Sequence, residues 1–276
     1  MTQSLISIYV RPLVEGSGHS CEPPKPDAPH FERRPRGLAP TSNARIHSEV
    51  YGRMSRERTE PASSPLFSGL RRDAIVRILA GASQRTFKGS EIITRPGEPA
   101  TRFFLVTSGY VDYFLVTSHG EEILLRRMFP GDIFGIASFL AGPLDYLGTA
   151  KPARHSKVLE WQRREVLQFA RAYPRFSENA FRVSLQYIAV CAGRHARRLS
   201  NTAAERLAIA IADLARRAGR VRPFGVEIDI KNEDLASLAD TTLFTASRVL
   251  KRWEREGTVA KTRGKVLLRC PERLLS

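Results

Sequence analysis

Residues 232–248 read Asn-Glu-Asp-Leu-Ala-Ser-Leu-Ala-Asp-Thr-Thr-Leu-Phe-Thr-Ala-Ser-Arg. Asn232 to Leu238 has the spacing of a short amphipathic helix with Leu235, Ala236 and Leu238 turned inward. Asp240 marks a tight turn, Thr242 opens a second helix that continues to Glu256, and Gly257 ends it. Two helices joined by a turn, with the small Ala236 at their crossing and Ala246 facing inward, predict a helix-turn-helix. Thr258 to Leu268 carries Arg263, Gly264 and Lys265 between Val259 and Val266, which predicts a two-stranded wing with a basic tip.

The second helix is expected to present Thr242, Leu243, Phe244, Thr245, Ser247 and Arg248 near its start, followed by Lys251 and Arg252. An Arg in the first turns can give two hydrogen bonds to guanine O6 and N7, and a Ser can reach a base edge or a phosphate. Lys251, Arg252 and the wing residues Arg263 and Lys265 are expected on phosphates. Helix-turn-helix geometry also occurs in helical domains that bind no DNA, and basic faces are often only solvated. The charge distribution favours DNA. The chain of 276 residues has 44 Lys and Arg against 28 Asp and Glu, a net charge of +16. Residues 190–276 hold +8 of that excess, 61–189 hold +6 and 1–60 only +2. A polyanion partner is the physical expectation, because each neutralised phosphate releases condensed counterions.

Moving upstream, Thr202 and Glu205 form a capping-box pattern ahead of a helix through Ala218, with Gly219 expected to take a left-handed conformation at its end. A strand is expected at Val226 to Ile230. After Pro174, Phe181, Leu185, Ile188, Ala192, His195 and Leu199 recur at spacings of 4, 3, 4, 3 and 4, the seam of a coiled coil. One long helix whose stripe packs on a second copy of itself follows, which predicts a homodimer. From about 66 to 165, turn-forming glycines separate short apolar segments, and strands are expected at Glu91–Thr94, Phe103–Thr107, Val111–Val116, Glu122–Met128 and Val158–Trp161. Short strands at this spacing indicate a jelly roll. Nine of the 17 prolines fall in the first 65 residues, among polar residues without period, and that stretch reads as disordered. Met54 is a candidate alternative start, which predicts that residues 1–53 are absent from the working protein.

The expected organisation is α+β: a disordered extension at 1–62, a jelly-roll sensor at 63–173, a dimerisation helix at 174–199 and a winged helix-turn-helix at 200–276. No apolar run is long enough to span a bilayer, and the N-terminus lacks the basic region of a signal peptide, so a cytoplasmic location without membrane contact is expected. Cys21, Cys191 and Cys270 form no CxxC metal site. The sequence contains no phosphate-loop, nucleophile-elbow, zinc-protease or EF-hand pattern, and no enzyme is expected. His119 and His155 are too isolated for a metal cluster of the cupin sort.

From about 66 to 273 the chain resembles the Crp/Fnr family of bacterial transcription regulators. The carriers are Leu66 to Leu70, the glycines Gly89, Gly97, Gly109 and Gly120, the run Gly131 to Gly135, the segment Ala204 to Ala208, Asp234 to Ala236, and Thr241 to Arg248. The resemblance implies an effector-sensing jelly roll and a dimer binding a near-palindromic operator in double-stranded DNA, with RNA polymerase as a partner if the protein activates. It also implies an effector pocket around Phe134, Gly135, Ile136, Ala137, Ser138, Gly148 and Thr149.

Departures from the family pattern bear on the effector. Cyclic-nucleotide-binding members carry a Glu after the Phe-Gly and an Arg-Ser pair some ten residues on. Here Ile136 follows Gly135, Gly148-Thr149 stands for the Arg-Ser pair, and Lys151 is the nearest cation. A cyclic phosphate without a partner is costly to bury, so response to a cyclic nucleotide in the family's manner is not expected. A single N-terminal cysteine excludes an Fnr-type iron–sulfur cluster within one chain. The effector is unknown or absent, and no cofactor is expected. The alternatives are a cyclic-nucleotide or haem-based gas sensor, with His155 and His195 as conceivable ligands, and a ligand-sensing or dimerisation module that binds no DNA. Phe244 stands where many members have Glu, which accepts from cytosine N4. A Phe instead contacts a thymine methyl or packs on sugar.

Overall fold

The computed structural model describes residues 60–275 except 90, 141, 143, 153 and 154. The expectations for residues 1–59, including a start at Met54, lie outside the described residues. Among the described residues, 60–197 form one compact unit and 198–275 another.

The first unit runs α1 (Arg72–Ala80), β1 (Ser83–Phe87), β2 (Arg102–Ser108), β3 (Val111–Val116), β4 (Glu122–Met128), β5 (Ile133–Phe134), β6 (Thr149–Pro152), β7 (Ser156–Gln162), α2 (Arg163–Ala172) and all but the last turn of α3 (Pro174–Ser200). Its strands pair antiparallel in two sheets, ordered β1-β7-β2-β5 and β4-β3-β6. The apolar run Phe103 to Val106 is buried throughout, because β2 is covered on both faces. Phe103 and Leu105 enter a core with Ile78, Trp161, Val166 and Phe176, whereas Phe104 and Val106 enter a second core with Val111, Met128 and Val158. The alternation of side chains along a strand thus divides one run between two cores. Trp161 is fully buried and donates its Nε1–H to the Ile78 carbonyl at 2.7 Å, closing the end of α1 against β7.

Of the expected strands, Val111–Val116 and Glu122–Met128 form as placed, and those in β2 and β7 are each longer than expected. Glu91–Thr94 does not form a strand. Only Thr94 makes an isolated bridge, to Ala150, because Glu91 folds back with its carboxylate accepting from the Lys88 backbone N–H. The strand there is β1 instead, whose only buried residue is Phe87.

The second unit comprises α4 (Ala203–Ala218), β8 (Arg220–Arg222), β9 (Gly225–Asp229), α5 (Asn232–Leu238), α6 (Leu243–Arg255), β10 (Val259–Thr262) and β11 (Lys265–Leu268). The Thr202–Glu205 capping box forms with both of its hydrogen bonds. Gly219 is extended, with φ −66° and ψ 140°, not left-handed. A glycine is needed there for space: a Cβ would lie 2.3 Å from the Ala215 carbonyl oxygen and from Val226. The wing is not an isolated pair. β10 and β11 are the first strands of a four-stranded antiparallel sheet ordered β10-β11-β9-β8. Leu207, Ile211, Leu235, Leu250, Trp253 and Leu268 are all buried within this unit.

Candidate nucleic-acid interface

The helix α6 buries Ala246, Val249, Leu250 and Trp253, a stripe at helical spacing. The opposite face is therefore outward: Leu243, Phe244, Arg248, Lys251 and Arg252 are exposed and Ser247 is half-buried. Thr242 caps the helix, its hydroxyl accepting from the Thr245 N–H at 3.2 Å, and the two hydroxyls lie 3.0 Å apart. The expected DNA contacts Thr242 and Thr245 thus hold the helix start. Phe244, Ser247, Arg248 and Lys251 line one open groove of about 510 Å³ together with Glu254 and Arg255.

The turn between α5 and α6 carries Asp240 at φ 49°, a left-handed conformation that Asp tolerates better than most residues. Arg206 of α4 fixes it. Its guanidinium donates to the carbonyls of Ala239 at 2.9 Å, Asp240 at 3.1 Å and Asn201 at 2.6 Å. Sequence reasoning assigned Arg206 no role in the site, although the Ala204 to Ala208 segment that contains it had been singled out.

The basic residues divide by whether they are paired. Among the described residues, Arg248 and Lys251 have no ion-pair partner, and Arg263 is exposed at the β10–β11 turn. Arg252 Nε lies 3.6 Å from Glu256 on the solvent side. Lys265 was expected on DNA, but its Nζ donates to Glu227 at 3.0 Å and stands 3.8 Å from Asp229. The antiparallel register, which sets Lys265 opposite Asp229, places its ammonium over β9. Arg222 also donates to Glu227, at 2.9 Å. The hydrogen bonds from Arg222 and then Lys265 hold the Glu227 carboxyl below its usual range.

In the first unit, the expected pocket residues border a packed interior. Phe134 stacks on Phe104 with ring centroids 4.5 Å apart, and Ala137 packs on the same core as Tyr146 and Ala150. Gly135 has φ 82°, and a Cβ there would meet the Arg102 carbonyl oxygen at 2.6 Å. Ile136 joins the other core, and the buried Ser138 hydroxyl donates to the Gly135 carbonyl at 2.8 Å. Gly148 lies against Tyr113 and accepts from the Thr94 hydroxyl at 3.1 Å, while Thr149 is buried in β6. Lys151 is bound to the Glu122 carboxylate at 2.5 and 2.7 Å. Among the described residues of this unit, Arg127 is the buried cation; it donates to both Asp112 oxygens at 2.7 and 2.9 Å and lies over the Tyr110 ring.

The helix α3 has two different faces. Phe181, Leu185, Ile188, Ala192, His195 and Leu199 are all exposed, forming an apolar stripe. Tyr187 and Arg194, off that stripe, meet β4: Arg126 lies over the Tyr187 ring at 4.7 Å, and Arg194 donates to the Leu125 carbonyl at 2.7 Å. Burial, and then the adjacent Cys191, push the Tyr187 phenol far above its usual range, so it stays neutral. This polar face was missed in the sequence because its partners lie on β4, about 60 residues away.

Comparison with known proteins agrees with this architecture. Residues 84–173 match the cyclic nucleotide-binding domain family, and residues 205–276 match the Crp-like helix-turn-helix domain family. The chain is 28% identical over 214 residues to the cyclic AMP receptor protein of Thermus thermophilus, covering 75% of this chain and 93% of that one. It is 25% identical over 224 residues to the CRP-like cAMP-activated global transcriptional regulator of Mycobacterium tuberculosis, covering 77% and 96%. Its fold is similar to that of the c-di-GMP responsive global regulator CLP of Xanthomonas campestris, with a TM-score of 0.62 at 20% identity over 72% of this chain and 99% of that one. With the sheet domain, the long helix and the helix-turn-helix in the order these relatives share, the chain belongs to the Crp/Fnr family of transcription regulators.

Proposed function

We propose that the protein is a cytoplasmic homodimer that binds a near-palindromic operator through α6, with an effector other than a cyclic nucleotide or with none. The carrying observation is the outward face of α6, where Arg248 and Lys251 stand exposed and, among the described residues, without an ion-pair partner, on a helix whose leading turn is fixed by Arg206. Two such helices in one dimer would enter successive major grooves about 34 Å apart. The exposed stripe from Phe181 to Leu199 supports the dimer, since a monomer gains nothing by leaving those residues in water.

The reading of the effector rests on charge. A cyclic phosphate needs a cation that is free to pair with it. Arg127 is already satisfied by Asp112, and Lys151 by Glu122. The proposal includes no haem, iron–sulfur cluster or metal and no catalytic step. If the protein activates transcription, RNA polymerase is its further partner.

The test is a gel shift of the full chain against its own upstream region across a salt series. A preferred duplex, a steep fall in affinity with salt, and two chains per duplex by sedimentation are expected, with no change on adding cyclic AMP or cyclic GMP. Uniform weak binding to all duplexes would instead identify a module that reads no sequence.

A further inference from the structure

We infer that Phe244 is a base-reading residue that selects thymine through its 5-methyl group, one or two base steps from the guanine taken by Arg248. This deepens the operator-binding reading above and rests on it.

Phe244 is 76% exposed and its neighbour Leu243 is 45% exposed. The inward stripe of α6 is complete without either, because Ala246, Val249, Leu250 and Trp253 supply it. The cap is also complete, since Thr242 provides it. A phenyl ring left in water at the leading turn of this helix thus has no folding role in its own unit.

Its position gives it a partner. Phe244 and Arg248 are four residues apart on a helix, so they are neighbours on one face, about 5 to 6 Å apart at Cβ. Both line the same groove. With base pairs stacked at about 3.4 Å, side chains so spaced meet bases one or two steps apart. A phenyl ring has no hydrogen-bonding group. All four bases present donors or acceptors to the major groove, thymine its O4, and covering these with a ring leaves them unsatisfied. Thymine alone adds a methyl group, which a ring can cover with gain. The carboxylate on this groove, Glu254, lies ten positions beyond Phe244 along α6, so no acid at the helix start competes for a cytosine amino group.

The test uses the full chain. Preferred half-sites are selected from a randomised duplex library, and each thymine is then replaced in turn by deoxyuridine, which differs only by the missing methyl. One thymine, next to or one removed from the guanine whose preference is lost in Arg248→Ala, should be sensitive, with affinity falling about fourfold per half-site. Phe244→Ala should bind the thymine and uracil duplexes equally, with an unchanged melting curve because the ring is exposed. Equal binding of both duplexes by the parent chain overturns the inference. So does a methyl effect that survives in Phe244→Ala, which would place the ring on sugar. Selection that yields no preferred sequence overturns the operator reading itself, and the inference with it. A guanine preference with no methyl effect refutes the inference alone.

Discussion

Arg127 and Arg248 carry the same guanidinium and have opposite fates. Arg127 lies in β4, 6% exposed, clamped by both oxygens of Asp112 and covered by Tyr110. Arg248 lies on α6, exposed and unpaired among the described residues. At these two positions the sheet unit spends its cation on structure while α6 leaves its cation in solvent, and the distinction is invisible in a net charge. The largest effect that can break this contrast is Asp112→Ala. It strands a buried guanidinium, and about 3 to 5 kcal/mol of stability should be lost in denaturant unfolding. Combining it with Arg127→Leu should restore most of the loss, because the stranded charge then goes as well. A single variant as stable as the parent would show Arg127 free to serve a ligand.

Arg206 belongs to neither class. It is a cation in the DNA-binding unit whose donors are spent on carbonyls at Asn201, Ala239 and Asp240. Arg206→Leu keeps much of the packing and leaves those oxygens unpaired. It should cost about 1.5 to 3 kcal/mol of the stability of that unit and weaken operator binding with base preference retained. Arg248→Ala should do the reverse. Melting is unchanged, affinity falls by about 1 to 3 kcal/mol per half-site, and the guanine preference relaxes. Lys251→Ala should mainly lower the salt slope, by about one unit per half-site. Equal, sequence-independent losses from Arg248→Ala and Lys251→Ala would erase the division between base reader and phosphate contact on α6.

The helix-turn-helix was legible nearly to the residue because its signals are local. Caps at Thr202 and Thr242, apolar spacing in α5 and α6, and the stop at Gly257 all act within a few positions. The sheet domain was legible where a strand is half or wholly buried, as at Val111–Val116 and the run Phe103 to Val106. It was illegible at Ser83–Phe87, where pairing with β7 holds a strand with almost no buried side chain. The same limit applies to the site. Exposed cations on a helix follow from its period, but the state of Lys265 depends on strand register with β9, 38 positions away at Glu227. Charge pairing across a sheet is a tertiary fact that no local pattern encodes.

That pairing supplies the smallest test. Glu227 accepts from Arg222 and Lys265, and those bonds hold its carboxyl below the usual range in the folded chain. A carboxyl lowered on folding contributes stability that is full above its unfolded range and is lost as pH falls through the folded value. The second unit should therefore lose this contribution on acidification, and Glu227→Gln should remove that part of the pH dependence. At neutral pH the same substitution should cost about 0.5 kcal/mol or less, as expected of a pair near the surface. It should also loosen the hold of β9 on Lys265, leaving Asp229 at 3.8 Å as its charged partner, so that the ammonium reaches a phosphate more readily. Operator binding by Glu227→Gln should then tighten modestly and gain salt dependence. If Lys265 already reaches DNA past its carboxylate partner, neither the slope nor the affinity will change.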